Sequence, residues 1–314
     1  MIKYLLPNEG AFYKANLHSH SSFSDGTLNP AELKDLYKKS GYSILAITDY
    51  DRFSDCALLS DDSFLVLNGI EIGINDKNFN GKYGKTCHLC AVSFKTGAES
   101  NVLKDVIREY NSDCISRIMD TAAKSALFVT YTHPSWSMEG YEDYINYNGM
   151  HAMEIYNHSC RLDGYDEHNS KQYDDLLKSG KRIYCIATDG NRGDMQTSDL
   201  FGGFTMIKAR NLSHRSVEEA LKNGSFYSSE GPEVYELYIE DKTLYIKCSG
   251  VSEICLNTPY RIAASKKGYG RLLKEASFKL RGDEGYFRLT LTDKNGNKAY
   301  TNAYFTDEIF EEAR

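Results

Sequence analysis

Between Lys14 and Ala209 the chain alternates short apolar runs with stretches whose apolar residues recur at helical spacing. The runs predict strands at 15–20, 43–48, 64–67, 87–94, 127–132, 152–157, 182–188 and 203–208. Asn29 and Pro30 set a capping residue before a proline at the first helical position, predicting a helix over 30–39 that Gly41 closes. Val102, Val106, Ile115, Ile118, Met119 and Ala122 predict a helix over 101–125, broken near Asn111 and Ser112. Shorter helices are predicted over 172–178 and 216–222, stopped by Gly180 and Gly224. Strands alternating with helices predict an α/β fold with a mostly parallel sheet and crossovers, open or closed into a barrel. Beyond Pro232 the pattern becomes short strands, at 234–240, 243–248, 253–256, 276–280, 286–292 and 299–305, joined by turns. The expected division is residues 1–232 and a small all-β, sandwich-like domain over 233–314. The loops of that domain carry no metal-ligand cluster, which suits a packing or partner role.

Composition narrows the function classes. The 314 residues are 41% hydrophobic and 26% charged, enough to bury a core. Lys and Arg number 37 against 44 Asp and Glu, a net charge of −7. That balance argues against a nucleic acid polymer as partner, because such binding needs clustered cations. No apolar run reaches the roughly 18 residues that span a bilayer, so no membrane partner is expected. Residues 1–10 show no signal-peptide pattern, and a cytoplasmic location follows by default. Eight cysteines are too sparse for a disulfide framework, and Cys87-His88-Leu89-Cys90 has no second CxxC to complete a zinc site; reduced, buried thiols are expected. The pattern assigns no function to the 24 tyrosines and leaves the oligomeric state unspecified.

The chemistry concentrates in Asn16-Leu17-His18-Ser19-His20 and the Ser24-Asp25-Gly26 that follows. His18 and His20 are two apart, which on a strand turns both imidazoles to one face. His88 and His133 also fall in or at the end of predicted strands, and Glu71 follows an apolar run. Parallel α/β folds build their sites at the C-terminal ends of strands. Imidazole and carboxylate together suit zinc, manganese or iron. His151, His158, His168 and His214 lack this placing and are expected to pack or lie at the surface. Trp136 either walls a pocket or fills the core, and Glu154 either supports the site or packs at a strand end. Arg161 is either a substrate-phosphate ligand or a solvated loop residue, and Asn157 is a further substrate-binding candidate.

In order, His18-x-His20, Ser24-Asp25-Gly26, Ile47-Thr48-Asp49, Gly69-Ile70-Glu71, His88 and His133-Pro134 resemble the PHP (polymerase and histidinol phosphatase) superfamily. Glu154-Ile155-Tyr156-Asn157, Phe201-Gly202-Gly203-Phe204-Thr205, Glu219-Ala220-Leu221 and the segment from Phe226 to Pro232 resemble its CehA/McbA-type branch. The resemblance spans about Ala15 to Pro232. It implies a distorted (β/α)7 barrel that holds up to three metals and hydrolyses phosphate esters or, in a few members, other esters. It places His18, His20 and Glu71 on a first metal, Glu71, His88 and His133 on a second, and Asp25 on a third. In such a site a water bridging two cations loses a proton near neutral pH and attacks phosphorus. The implied function is a metal-dependent phosphoesterase acting on a small phosphorylated metabolite or nucleotide. The alternatives are an ester or carbamate hydrolase, and an impaired barrel that binds a phosphate ligand or a partner.

The sequence departs from the family where two third-metal histidines are implied. The first position is Tyr50, in Thr48-Asp49-Tyr50-Asp51. The second lies in Thr188-Asp189-Gly190-Asn191-Arg192, where one register sets Asn191 on the histidine and the other sets Arg192 there and Gly190 on a ligand aspartate. In the second register Asp189 would have to bend in as a metal ligand. Both losses strike the same ion, so two divalent cations are expected, with Arg192 a fixed cation in place of the third. Asp25 could pair with Arg192, and Tyr50 could donate to a phosphoryl oxygen.

Overall fold

The computed structural model describes residues 2–77, 84–97, 102–194, 196, 198–261 and 264–310. β1 (Ile2–Tyr4) departs to a second sheet, and the site-bearing sheet begins with β2 (Ala11–Asn16). It continues with β3 (Ile44–Ile47), β4 (Leu65–Asn75), β5 (Thr86–Ser93), β6 (Phe128–Tyr131), β7 (Ala152–Asn157), β8 (Tyr184–Thr188), β9 (Phe204–Ala209) and β10 (Phe226–Ser229). Their hydrogen-bonded order is β10-β9-β2-β3-β4-β5-β6-β7-β8. The ends of this order meet. The Thr205 hydroxyl on β9 donates to Ala187 O on β8 at 3.0 Å and accepts from Ala187 N at 3.3 Å. Ser228 Oγ on β10 donates to Cys185 O at 2.7 Å.

The sheet is mixed rather than mostly parallel. β2-β3-β4 and β6-β7-β8 are parallel, whereas β5 is antiparallel to both its neighbours and β9 to β2. A parallel partner needs a crossover of a dozen or more residues; β4 and β5 are separated by only residues 76–85, so β5 returns beside β4.

The helices are α1 (Pro30–Lys39), α2 (Ser112–Lys124), α3 (Tyr141–Tyr144), α4 (His158–Leu162), α5 (Ser170–Lys178), α6 (His214–Lys222) and α7 (Thr306–Phe310). α1 starts as expected: Asn29 Oδ1 accepts from the N–H groups of Ala31 and Glu32 at 3.0 Å, and Glu32 reaches back to Asn29 N. α2 is shorter than the predicted 101–125. Asn111 caps it by accepting from Cys114 N at 2.8 Å, so the expected break is its start; Asn101 lies outside the described residues. Cys114, Ile115, Ile118, Met119 and Ala122 bury the inner face of α2 in one core with β4, β5 and β6.

The remainder packs two layers. β11 (Val234–Glu240), β12 (Thr243–Val251) and β15 (Leu273–Lys279) form one sheet with β1. β13 (Glu253–Asn257), β14 (Ala264–Lys267), β16 (Tyr286–Thr292) and β17 (Lys298–Thr301) form the other, with β18 (Tyr304–Phe305) beside β16. Leu237, Ile246, Val251 and Phe278 meet Ile254, Leu256, Phe287 and Leu289 in a shared core. The second layer is no separate sheet: β17 pairs with β10, so hydrogen bonding runs unbroken from the site-bearing strands into the β region.

Candidate metal centre

Three segments deliver four imidazoles to one carboxylate. β2 stops at Asn16, four residues before the predicted strand end, yet the alternation persists. Ser19 turns outward to Asn191 Oδ1 (2.6 Å), while His18 and His20 turn inward. Glu71 sits in the middle of β4, because that strand runs on through Asn68 and Gly69 to Asn75. Asn68 Oδ1 is satisfied by the N–H groups of Cys56 and Ala57, both at 2.8 Å. His88 projects from β5 opposite Gly73. His133 follows β6 with φ +26, a left-handed backbone unusual for a non-glycine residue and more so before Pro134.

Glu71 is the hub. Its Oε1 lies 3.0 Å from His88 Nδ1 and 3.0 Å from His133 Nε2. Its Oε2 lies 3.0 Å from His20 Nε2 and 3.4 Å from His18 Nε2. All five side chains are buried. Burial alone would raise the Glu71 pKa; the imidazoles of His18, His88 and His133 outweigh it and hold the carboxyl well below its usual range.

Glu154, on β7, resolves in favour of support. Its Oε1 accepts from His18 Nδ1 at 2.7 Å and from Thr188 Oγ1 at 2.6 Å. Its Oε2 accepts from His133 N at 3.0 Å and Asn157 Nδ2 at 2.9 Å. Four donors use up its acceptor sites, so although His18, His133 and Glu154 lie close enough to hold an ion, this carboxylate orients rather than ligates. With the proton of His18 on Nδ1, its Nε2 lone pair points at Glu71 Oε2 and, at 3.3 Å, at His20 Nε2. Burial disfavours the charged ring of His18, but Cys90, Glu154 and Glu71 outweigh it and raise the pKa well above the ordinary imidazole range.

This donor set fits divalent cations. Lone pairs of His18, His20 and Glu71 converge on one side, and those of Glu71, His88 and His133 on the other, with burial withholding water. Divalent cations held by these residues would satisfy both sides. His18, Glu71 and Cys90 also lie close together, with burial pushing the Cys90 thiol up to about 11. Cys87 packs into the core behind the sheet, and the eight cysteines are free, as the sequence suggested.

The loop after β8 corrects one expectation: Asp189 does not reach the centre. Its Oδ1 accepts from the N–H groups of Gly202 and Gly203, both at 2.8 Å. Its Oδ2 accepts from Tyr37 Oη at 2.5 Å and Phe201 N at 2.9 Å. Burial raises its pKa while these donors pull it back. Gly190 has φ +56, and a side chain there would collide with the Asn157 amide. Neither register therefore brings a carboxylate from this loop.

Asp25, Arg192 and Tyr50 meet at the mouth. Asp25 Oδ2 accepts from Arg192 Nε at 2.9 Å, and Asp25 Oδ1 lies 2.8 Å from His20 Nδ1, poorly aligned for a hydrogen bond. Burial would raise the Asp25 pKa, but His20 and Arg192 hold it well below the usual carboxylate range. Tyr50 Oη is 3.1 Å from His88 Nε2, in space that the missing side chain of Gly73 leaves free. A cavity of about 860 Å³ opens here, lined by Asp25, Tyr50, His88, Trp136, Tyr165 and Arg192 among others. Trp136 is thus a wall, edge-on to His88 and His133 at ring distances of 5.1 and 4.9 Å, with its backbone N–H donating to Glu167 Oε1 at 2.6 Å. Two substrate-binding candidates lie off this cavity. Arg161 is exposed on α4, and Asn157 is buried beneath, capping α4 through Cys160 N. His151 stacks on Phe128, and His168 pairs with Glu230, outside the centre.

No family model and no curated protein matches this chain. Solved structures do. A two-domain protein from Bacteroides vulgatus containing a predicted PHP-like metal-dependent phosphoesterase is similar at TM-score 0.50 and 17% identity, over 96% of this chain and 98% of that one. A Bifidobacterium adolescentis protein proposed to be a metal-dependent phosphoesterase scores 0.41 at 14% identity, over 70% and 98%. An amidohydrolase from Chromobacterium violaceum scores 0.41 at 16% identity, over 55% and 86%. The chain shares the fold of the Bacteroides protein along nearly its whole length.

Proposed function

We propose that this chain is a PHP-type metal-dependent phosphoesterase whose curled sheet is a distorted barrel, with residues 1–232 as the catalytic unit and 233–314 as an appended β domain. The observation that carries the reading is Glu71, whose two oxygens face separate imidazole pairs. His18, His20 and Glu71 would hold one cation, and Glu71, His88 and His133 the other; zinc, manganese or iron suits these donors. When bound, such cations would supply charge neutralisation at the phosphoryl oxygens and acidify a water.

The chain's own groups do the rest. Glu154 keeps the His18 proton on Nδ1. Arg192 is the permanent cation at the mouth, positioned by Asp25 to bind a phosphoryl oxygen of a small phosphate ester. Tyr50 stays protonated, because burial raises its pKa, and so can donate to substrate. Trp136 and Tyr165 line the cavity beside the centre. The pairing of Asp25 with Arg192 favours two ions over three. It also supports a second reading, a barrel that binds phosphate ligands without turning them over.

Manganese- or zinc-stimulated turnover of p-nitrophenyl phosphate and a nucleotide panel tests both. Turnover that is lost in His18→Ala/His20→Ala supports the hydrolase. Metal binding without turnover of any ester supports the binder, and absence of metal binding ends both.

A further inference from the structure

β14, at the edge of the large sheet, and β15, in the four-stranded sheet, are joined by a turn whose chemistry differs from that of the rest of the molecule. The turn is closed by Arg271 N donating to Gly268 O at 2.9 Å. Residues 264–274 contain Lys266, Lys267, Arg271 and Lys274 and no acidic residue, in a chain of net charge −7. All four cations are exposed. Lys267 lies 3.4 Å from Glu253, and Glu275 is the next acid along β15; Lys266, Arg271 and Lys274 make no ion pair among the described residues. Between the cations, Tyr269 is 92% exposed and Leu272 53%.

Lysines on an edge strand keep it from pairing with other chains. That accounts for Lys266 and Lys267 on β14, the edge of the large sheet. It does not account for the tip. Tyr269 has φ +48, a left-handed conformation that glycine or asparagine adopts at less cost. The turn therefore holds a large ring out into solvent at a position where a smaller residue would be more stable.

We propose that this tip docks on an anionic lipid surface. Lys266, Arg271 and Lys274 face headgroup phosphates, while Tyr269 and Leu272 enter the interfacial layer. Cations near such a surface are attracted within about a Debye length, and tyrosine suits a boundary that is apolar on one side and wet on the other. A convex tip with a single aromatic ring meets a plane. A nucleic-acid strand is held instead in a basic groove with successive stacking rings. The whole-chain balance that predicts no membrane partner averages this cluster away. No helix among the described residues is long and apolar enough to cross a membrane, which concerns spanning and not surface attachment. The inference is independent of the hydrolase reading.

Co-sedimentation of the full chain with phosphatidylcholine vesicles, with and without phosphatidylglycerol, tests it. Binding to the anionic vesicles is expected to be about tenfold or more tighter and to weaken with salt. Lys266→Ala/Arg271→Ala/Lys274→Ala should abolish that preference. Tyr269→Asn, which relieves the backbone at the turn, should weaken binding several-fold without loss of thermal stability. Failure to bind, equal binding to both vesicles, or full retention by the triple variant overturns the proposal. So does binding of single-stranded oligonucleotides through the same residues with the vesicles ignored.

Discussion

Asp189, just past β8, and Glu71, in the middle of β4, are both buried carboxylates, and their surroundings give them opposite roles. Asp189 is fed by three backbone N–H groups and the Tyr37 hydroxyl, all fixed donors. Glu71 faces four imidazoles from three segments. A carboxylate saturated by the chain's own protons closes a loop. One ringed by potential ligand atoms needs positive charge from elsewhere.

Substitutions can break that contrast. Glu71→Gln should drop metal content and ester turnover to background while the fold survives, read by elemental analysis and a thermal melt. Asp189→Asn should do the reverse. Its amide would set N–H against N–H, costing about 2–3 kcal/mol in urea unfolding, with metal content unchanged. Loss of metal from the Asp189 variant would erase the distinction.

Glu139 is an intermediate case, accepting from Tyr110 (2.9 Å), Tyr131 (2.6 Å) and Tyr147 (2.5 Å). Burial raises its pKa to about 7 against those three hydrogen bonds. A raised carboxyl pKa stabilises the fold at low pH and loses that contribution as pH climbs from the unfolded value through about 7. Glu139 should therefore contribute a loss of about 2 kcal/mol between roughly pH 5 and 8, and Glu139→Gln should reduce the slope by that amount in denaturation measured across the range.

Two smaller effects sharpen the centre itself. Glu154→Gln, which frees the His18 tautomer, should weaken metal affinity by about 10–100-fold in a chelator competition. Arg192→Ala should raise KM about tenfold with metal content intact. A rise in metal stoichiometry in that variant would show that the guanidinium had been excluding an ion.

The residues that converge on Glu71 were legible because strand parity is local: His18 and His20, two apart, must share a face, and Glu71, His88 and His133 lie in or beside apolar runs. The role of Glu154 was not legible, since it depends on β7 lying against both the His18 segment and the turn at His133. The saturation of Asp189 depends on Phe201, Gly202 and Gly203, distant in sequence. The antiparallel course of β5 followed from a connection too short to cross over, which periodicity does not report. The tyrosine abundance also finds a partial account. Tyr37, Tyr110, Tyr131, Tyr144 and Tyr147 hydrogen-bond buried carboxylates as neutral donors, a role that no motif announces.

Anomalous scattering from crystals grown with manganese or zinc tests the central claim most directly. Two peaks are predicted, one between His18, His20 and Glu71 and one between Glu71, His88 and His133, with Asp25 still on Arg192. A third peak ligated by Asp25, or no peak beside Glu71 in excess metal, would contradict it.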